Sequence, residues 1–122
     1  MLSRRNNRVP VRLFVDQMRG QEQWTGLTVN LSKGGLYLCQ RPQPIPREFG
    51  LELNLPGLRS SIWTRGEVRY VGEHGRAFMS VGVAFTGMAR KHRAMLNDWL
   101  NVTRIRLRND DRRSPIRQLL AG

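Results

Sequence analysis

Two short polar stretches hold the residue types best suited to chemistry in this chain. Arg4-Arg5-Asn6-Asn7-Arg8 sets three guanidinium groups within five residues. Asn30-Leu31-Ser32-Lys33-Gly34-Gly35 offers a carboxamide and a hydroxyl two positions apart, followed by a glycine pair. A guanidinium is a planar fork that matches phosphate oxygens and the O6/N7 edge of guanine, and it stacks on flat rings. An arginine clamp opposite a polar patch therefore suits an anionic ligand that carries guanine bases. Taken singly, each stretch is ordinary. A basic arm is usually a solvated terminus, and Lys33-Gly34-Gly35 suits a tight turn for its glycines alone. Their conjunction points to a ligand site.

The hydrophobic pattern indicates which elements hold the two stretches together. From Val9 the chain alternates with period two. Val9, Val11, Leu13 and Val15 fall on one side, and Pro10, Arg12, Phe14 and Asp16 on the other, as in a half-buried strand. A turn over 18–22, centred on Gly20, leads to a second strand over 24–32. There the alternation sends Leu27, Val29 and Leu31 to the core and Thr28, Asn30 and Ser32 to solvent, so that Asn30 and Ser32 stand side by side. A strand over 36–39 follows the turn, and Pro42, Pro44 and Pro46 mark a loop, because alternate prolines cannot sustain a ladder. Runs over 49–55, 62–71 and 77–85 complete six strands, which predicts a mainly β domain built as a small six-stranded antiparallel barrel. Met88, Met95, Leu96, Trp99, Leu100 and Thr103 then share one face of a helix over about 88–104, packed on the barrel. Residues 105–122 read as a basic tail in which Ser114-Pro115 suits the start of a short second helix.

The chain has 122 residues, enough for one domain that buries roughly two thirds of the surface its unfolded form exposes. Its 21 Lys and Arg against 9 Asp and Glu give a net charge of +12, and Lys33 and Lys91 are the only lysines. Such a field favours phosphate-bearing partners. Cys39 is the single cysteine, which excludes an internal disulfide and fits a reducing compartment. The start resembles no signal peptide, and no run approaches the ~20 apolar residues of a membrane span, so a cytoplasmic protein is expected. Cys39, His74 and His92 lack metal-ligand spacing. Ser32 sits in no G-x-S-x-G elbow, and carboxylates do not cluster. No catalytic residue, metal or cofactor is assigned.

With these residues in place, the chain resembles the PilZ domain, a bacterial receptor module for cyclic di-GMP. The family's R-x-x-x-R signature is matched by Arg4 and Arg8, and its [D/N]-x-S-x-x-G signature by Asn30, Ser32 and Gly35. Val81-Gly82-Val83-Ala84-Phe85 is similar to its late barrel strand, and a C-terminal helix follows, so the likeness spans about residues 4–104. It implies a split-barrel type of β-barrel with a C-terminal α-helix, in a stand-alone single-domain member. It implies that Arg4 and Arg8 hold phosphate and guanine, with Arg5 as a third cation. Asn30 and Ser32 would contact a guanine or the adjoining phosphate from the outer barrel face, and Gly35 would permit a close backbone approach or a turn. Asn30 stands where aspartate is commoner and offers one carbonyl acceptor, where a carboxylate accepts from two guanine N–H groups.

The organisation expected from this likeness is an arm over 1–8, the barrel and helix over 9–104, and the tail over 105–122. The arm has almost nothing to bury, so it should be mobile until a ligand orders it, and a separate protein would read the altered surface. Two other readings fit parts of the chain. A basic barrel with Trp24, Tyr37 and Trp63 free to stack, helped by the cations between Arg104 and Arg117, would bind nucleic acid. Aromatic residues make up only 7% of the chain, however, and do not interleave with arginines along one strand. A PilZ-fold adaptor that binds no ligand is the other alternative, and the intact arginine motif argues against it.

Overall fold

In the computed structural model, residues 8–121 are described, with side chains through residue 109 apart from His74. Six strands form: β1 Phe14–Arg19, β2 Glu22–Ser32, β3 Gly35–Gln40, β4 Glu48–Leu53, β5 Ile62–His74 and β6 Phe78–Phe85. A helix, α1, spans Arg90–Ala121. The strands close into a barrel in the order β1-β2-β3-β6-β5-β4, all neighbours antiparallel, with β4 pairing back onto β1. This is the expected barrel with its C-terminal helix.

The core follows from alternation. Leu36 and Leu38 on β3, Leu51 and Leu53 on β4, Ile62 on β5 and Val81 and Val83 on β6 point inward and are buried. Leu31 joins them from β2, and Leu96 and Leu100 seal one side from α1. Each such side chain contributes about 1.5–3 kcal/mol by leaving water. One polar link crosses the interior: Gln17 Nε2 donates to Gln40 Oε1 at 2.8 Å, while Gln17 Oε1 accepts from Arg19 Nη2 at 2.8 Å. Burial lowers the Arg19 pKa, with Glu22 partly opposing the shift.

Two strand expectations are corrected. Val9, Val11, Leu13 and Val15 do turn toward the core, but the ladder begins only at Phe14. Before it, Val9 makes an isolated bridge to Leu31, with N···O distances of 2.7 and 2.9 Å. Thr28 fills the gap between bridge and ladder. Its hydroxyl accepts from Leu13 N–H at 2.8 Å and donates to the Val11 carbonyl at 2.7 Å. Thr28 is therefore an inward residue, 1% exposed, rather than an outward one. Val29, expected in the core, is 41% exposed, because a β-bulge shifts the register between Thr28 and Asn30. Leu27 likewise lies on the outer side and is half-buried.

The helix also departs from expectation. It continues to Ala121 across the region read as a tail, and no second helix starts at Ser114. No glycine or proline interrupts residues 90–114, and the arginines and leucines there are good helix formers. Its first turn carries Arg90 and Lys91 and no acid, which opposes the helix dipole. Tertiary contacts hold it instead. The Trp63 N–H donates to His92 Nδ1 at 3.0 Å, Arg93 Nη1 donates to the Lys33 carbonyl at 3.4 Å, and Trp99 Nε1 donates to the Pro56 carbonyl at 2.9 Å.

Candidate ligand-binding site

Across β2, β3, β6 and β5 the register aligns Asn30 with Tyr37, Tyr37 with Gly82, and Gly82 with Tyr70. Two residues along, Ser32 aligns with Gly35, Gly35 with Ala84, and Ala84 with Glu67. These rungs lie on the outer barrel face. Of the four central positions, Gly35, Gly82 and Ala84 carry little or no side chain and the fourth is Tyr37, so the sheet is hollow beside the Tyr37 ring. The result is a cleft of about 480 Å³ lined by Arg8, Asn30, Ser32, Gly35, Tyr37 and Arg69 among others. That volume falls in the range of small-molecule sites.

Two bulges shape its rim. With Thr28 inward, strict alternation would also turn Asn30 inward; the extra residue Val29 returns Asn30 to the outer face and still leaves Leu31 in the core. On β5 a second bulge between Val68 and Tyr70 leaves both Arg69 and Tyr70 outside. The Asn30 carboxamide engages no other group among the described residues.

Arg8 reaches the cleft because the Val9–Leu31 bridge places it beside Ser32. Its guanidinium lies 4.5 Å from the centroid of the Tyr37 ring, a cation–π contact. The ring in turn rests on Gly82, where an added Cβ would stand 3.0 Å from Tyr37 Cε1, and meets Tyr70 edge-on at 6.2 Å. Ser32 Oγ donates to the Gly35 carbonyl at 3.2 Å and accepts from Gly34 N–H at 3.3 Å. Ser32 therefore shapes its own turn as well as facing the cleft. Gly35 is needed for close approach and not for a left-handed turn: a Cβ there would stand 2.2 Å from the Val83 carbonyl oxygen.

The structure thus brings together Arg8, Asn30, Ser32 and Gly35, whereas Arg4 and Arg5, with the expected mobility of the arm, lie outside the described residues. It adds Tyr37 and Arg69. Tyr37 follows Gly35 by two residues on the same face, a parity visible in the sequence. Arg69 reaches the site through a bulge that no pattern announced. The aromatics weighed for nucleic-acid stacking separate: Trp24 lies against Arg19 at 4.7 Å, Trp63 sits beside His92, and only Tyr37 lines the cleft. Among the described residues no three His, Cys, Asp or Glu side chains gather to hold a metal, and no helix is long and apolar enough to cross a membrane.

Residues 2–101 match the sequence profile of the PilZ domain, so the chain belongs to the PilZ domain family, one of receptor and adaptor modules. Among solved structures it is similar to the Bacillus subtilis inhibitor of motility MotI/DgrA, with a TM-score of 0.69 and 20% identity over 84% of this chain. This chain covers 50% of MotI, about half of that protein's length. The PilZ domain of CeSA from a cellulose-synthesising bacterium aligns with a TM-score of 0.54 and 16% identity, over 76% of this chain and 93% of that one. Borreliella burgdorferi PlzA, solved in complex with c-di-GMP, aligns with a TM-score of 0.54 and 10% identity, over 82% of this chain and 47% of PlzA. At these identities the likeness speaks for the fold. No curated protein matches the chain.

Proposed function

We propose that this chain is a cyclic di-GMP receptor whose ligand-bound surface is read by a separate protein. The observation that supports this most is convergence: Arg8 from the first signature and Asn30 and Ser32 from the second line one cleft, although they are far apart in sequence. The chemistry suits the ligand. Arg8 and Arg69 supply cations for two phosphates, Asn30 presents its carboxamide to a guanine edge, and the floor of Gly35 and Ala84 beside the Tyr37 ring leaves room for a flat base. Arg4 and Arg5 would fold over the ligand with the arm, changing the surface around the 30–35 turn. The reading carries no cofactor and no catalytic step, and its setting is cytoplasmic.

The test is isothermal titration of cyclic di-GMP into the purified chain, with GTP and the Arg8→Ala variant as controls. Saturable heat that the variant loses is expected. Absence of heat at high micromolar ligand overturns the proposal. Salt separates this reading from nucleic-acid binding: a duplex held at many phosphates loses about 10³–10⁵ in affinity between about 50 and 200 mM salt, and a ligand with two phosphates loses far less.

A further inference from the structure

Among the described residues, two hollows of about 480 Å³ open at the surface. The groove beneath Trp99, between the β4–β5 loop and α1, is walled chiefly by Pro56, Leu58 and Met95 and offers apolar shape. The cleft on the barrel face offers polar groups of two kinds. Arg8 and Arg69 supply charge, which holds phosphates whatever bases they carry. An arginine fork that turns to a base instead selects guanine, through O6 and N7. The base that meets β2 is read by neutral groups. Ser32 is committed to its own turn, donating to the Gly35 carbonyl and accepting from Gly34 N–H. That leaves the Asn30 carboxamide as the reader. It makes no hydrogen bond among the described residues, so no neighbour there fixes which of its two ends is the oxygen. No Asp or Glu of the described residues lines the cleft, and Glu67, one rung position beyond Ala84, is paired with Arg69 Nε at 3.4 Å.

We propose that the base position at Asn30 accepts adenine as well as guanine, so that the cleft takes the mixed cyclic GMP–AMP alongside cyclic di-GMP. The inference rests on the receptor reading above and deepens it. In one orientation the carboxamide accepts from adenine N6–H and donates to a ring nitrogen, the pairing by which asparagine reads adenine. Turned over, it donates to guanine O6 and accepts from guanine N1–H. One side chain thus gives either purine two bonds. A carboxylate at this position would behave otherwise. It would accept from guanine N1–H and N2–H together, and it would set an oxygen against the lone pair of an adenine ring nitrogen with no proton to offer. The second base, carrying O6 and N7 to an arginine, remains guanine.

The test is isothermal titration of the full chain with cyclic di-GMP and with cyclic GMP–AMP of the same phosphodiester linkage, repeated on Asn30→Asp. In the native chain the two affinities should agree within about tenfold, because each base finds two bonds. In Asn30→Asp their ratio should move toward cyclic di-GMP by at least about tenfold, the worth of one bidentate base contact. A merely structural role for Asn30 would weaken both ligands alike and leave the ratio where it was, which overturns the inference. So does binding of cyclic di-GMP with cyclic GMP–AMP more than about tenfold weaker in the native chain, a result that leaves the receptor reading standing. Absence of heat with both ligands overturns the receptor reading and this inference together.

Discussion

The cleft on the barrel face and the groove beneath Trp99 each enclose about 480 Å³, and they arise from opposite causes. The cleft exists because side chains are missing. Gly35, Gly82 and Ala84 occupy outward positions of adjacent strands, so the floor is backbone and its shape is fixed by ladder register. The groove exists because side chains are present. Trp99, Met95 and Leu58 stand up from separate elements and enclose a space between them. A backbone floor is rigid and puts recognition at the rim, on Arg8, Asn30 and Arg69. Side-chain walls can repack, Met95 most readily, and they recognise apolar shape.

That contrast can be broken from either side. The broadest effect, on stability and binding together, is expected from Gly35→Ala, whose Cβ must displace the Val83 carbonyl on the neighbouring strand. A loss of ~1–3 kcal/mol in urea unfolding, together with weaker cyclic di-GMP binding, is expected. An unchanged midpoint would show that the floor yields and is not set by register. Arg8→Ala should weaken cyclic di-GMP by ~1.5–3 kcal/mol in titration, as loss of a charged hydrogen-bond partner does, and leave the unliganded melting temperature almost unmoved. Thr28→Val keeps the shape but strands the Leu13 N–H and the Val11 carbonyl, for ~1–3 kcal/mol in unfolding. It should also weaken ligand binding through the displaced arm. Trp99→Phe removes the bond to Pro56, for about 0.5–1.5 kcal/mol, together with part of the indole's packing against the core, and should leave cyclic di-GMP affinity unchanged.

Much of the fold was legible because hydrophobic alternation tracks burial wherever strands are regular. β3 through β6 lie within a few residues of the pattern, and Asn30 and Ser32 face outward as expected. The failures sit at irregularities. Alternation assumes one residue per rung, so it misplaced Leu27, Thr28 and Val29 on one side of a bulge and missed Arg69 at another. Asn30 itself was placed correctly on a mistaken premise, since the bulge restored what the wrong phase had assigned. Thr28, which alternation sends to solvent, instead turns inward, where its hydroxyl replaces a missing ladder. The helix outran its expected end because the charged run after Arg104 was read as a tail, where nothing in the backbone chemistry stops a helix before Pro115.

The attachment of the arm has a kinetic corollary. Residues 9–13 join the barrel through the Val9–Leu31 bridge, the Thr28 hydroxyl and one further backbone bond, from Thr28 N–H to the Leu13 carbonyl, whereas Val15–Met18 of β1 is paired on both edges. A segment held by so few bonds can peel away without opening the barrel, at a free energy far below that of global unfolding. The amides of Val9 and Leu31 should therefore exchange with solvent deuterium well ahead of the β1 amides. Their protection would then serve as a local gauge of how firmly Arg8 is seated, readable residue by residue as ligand is added.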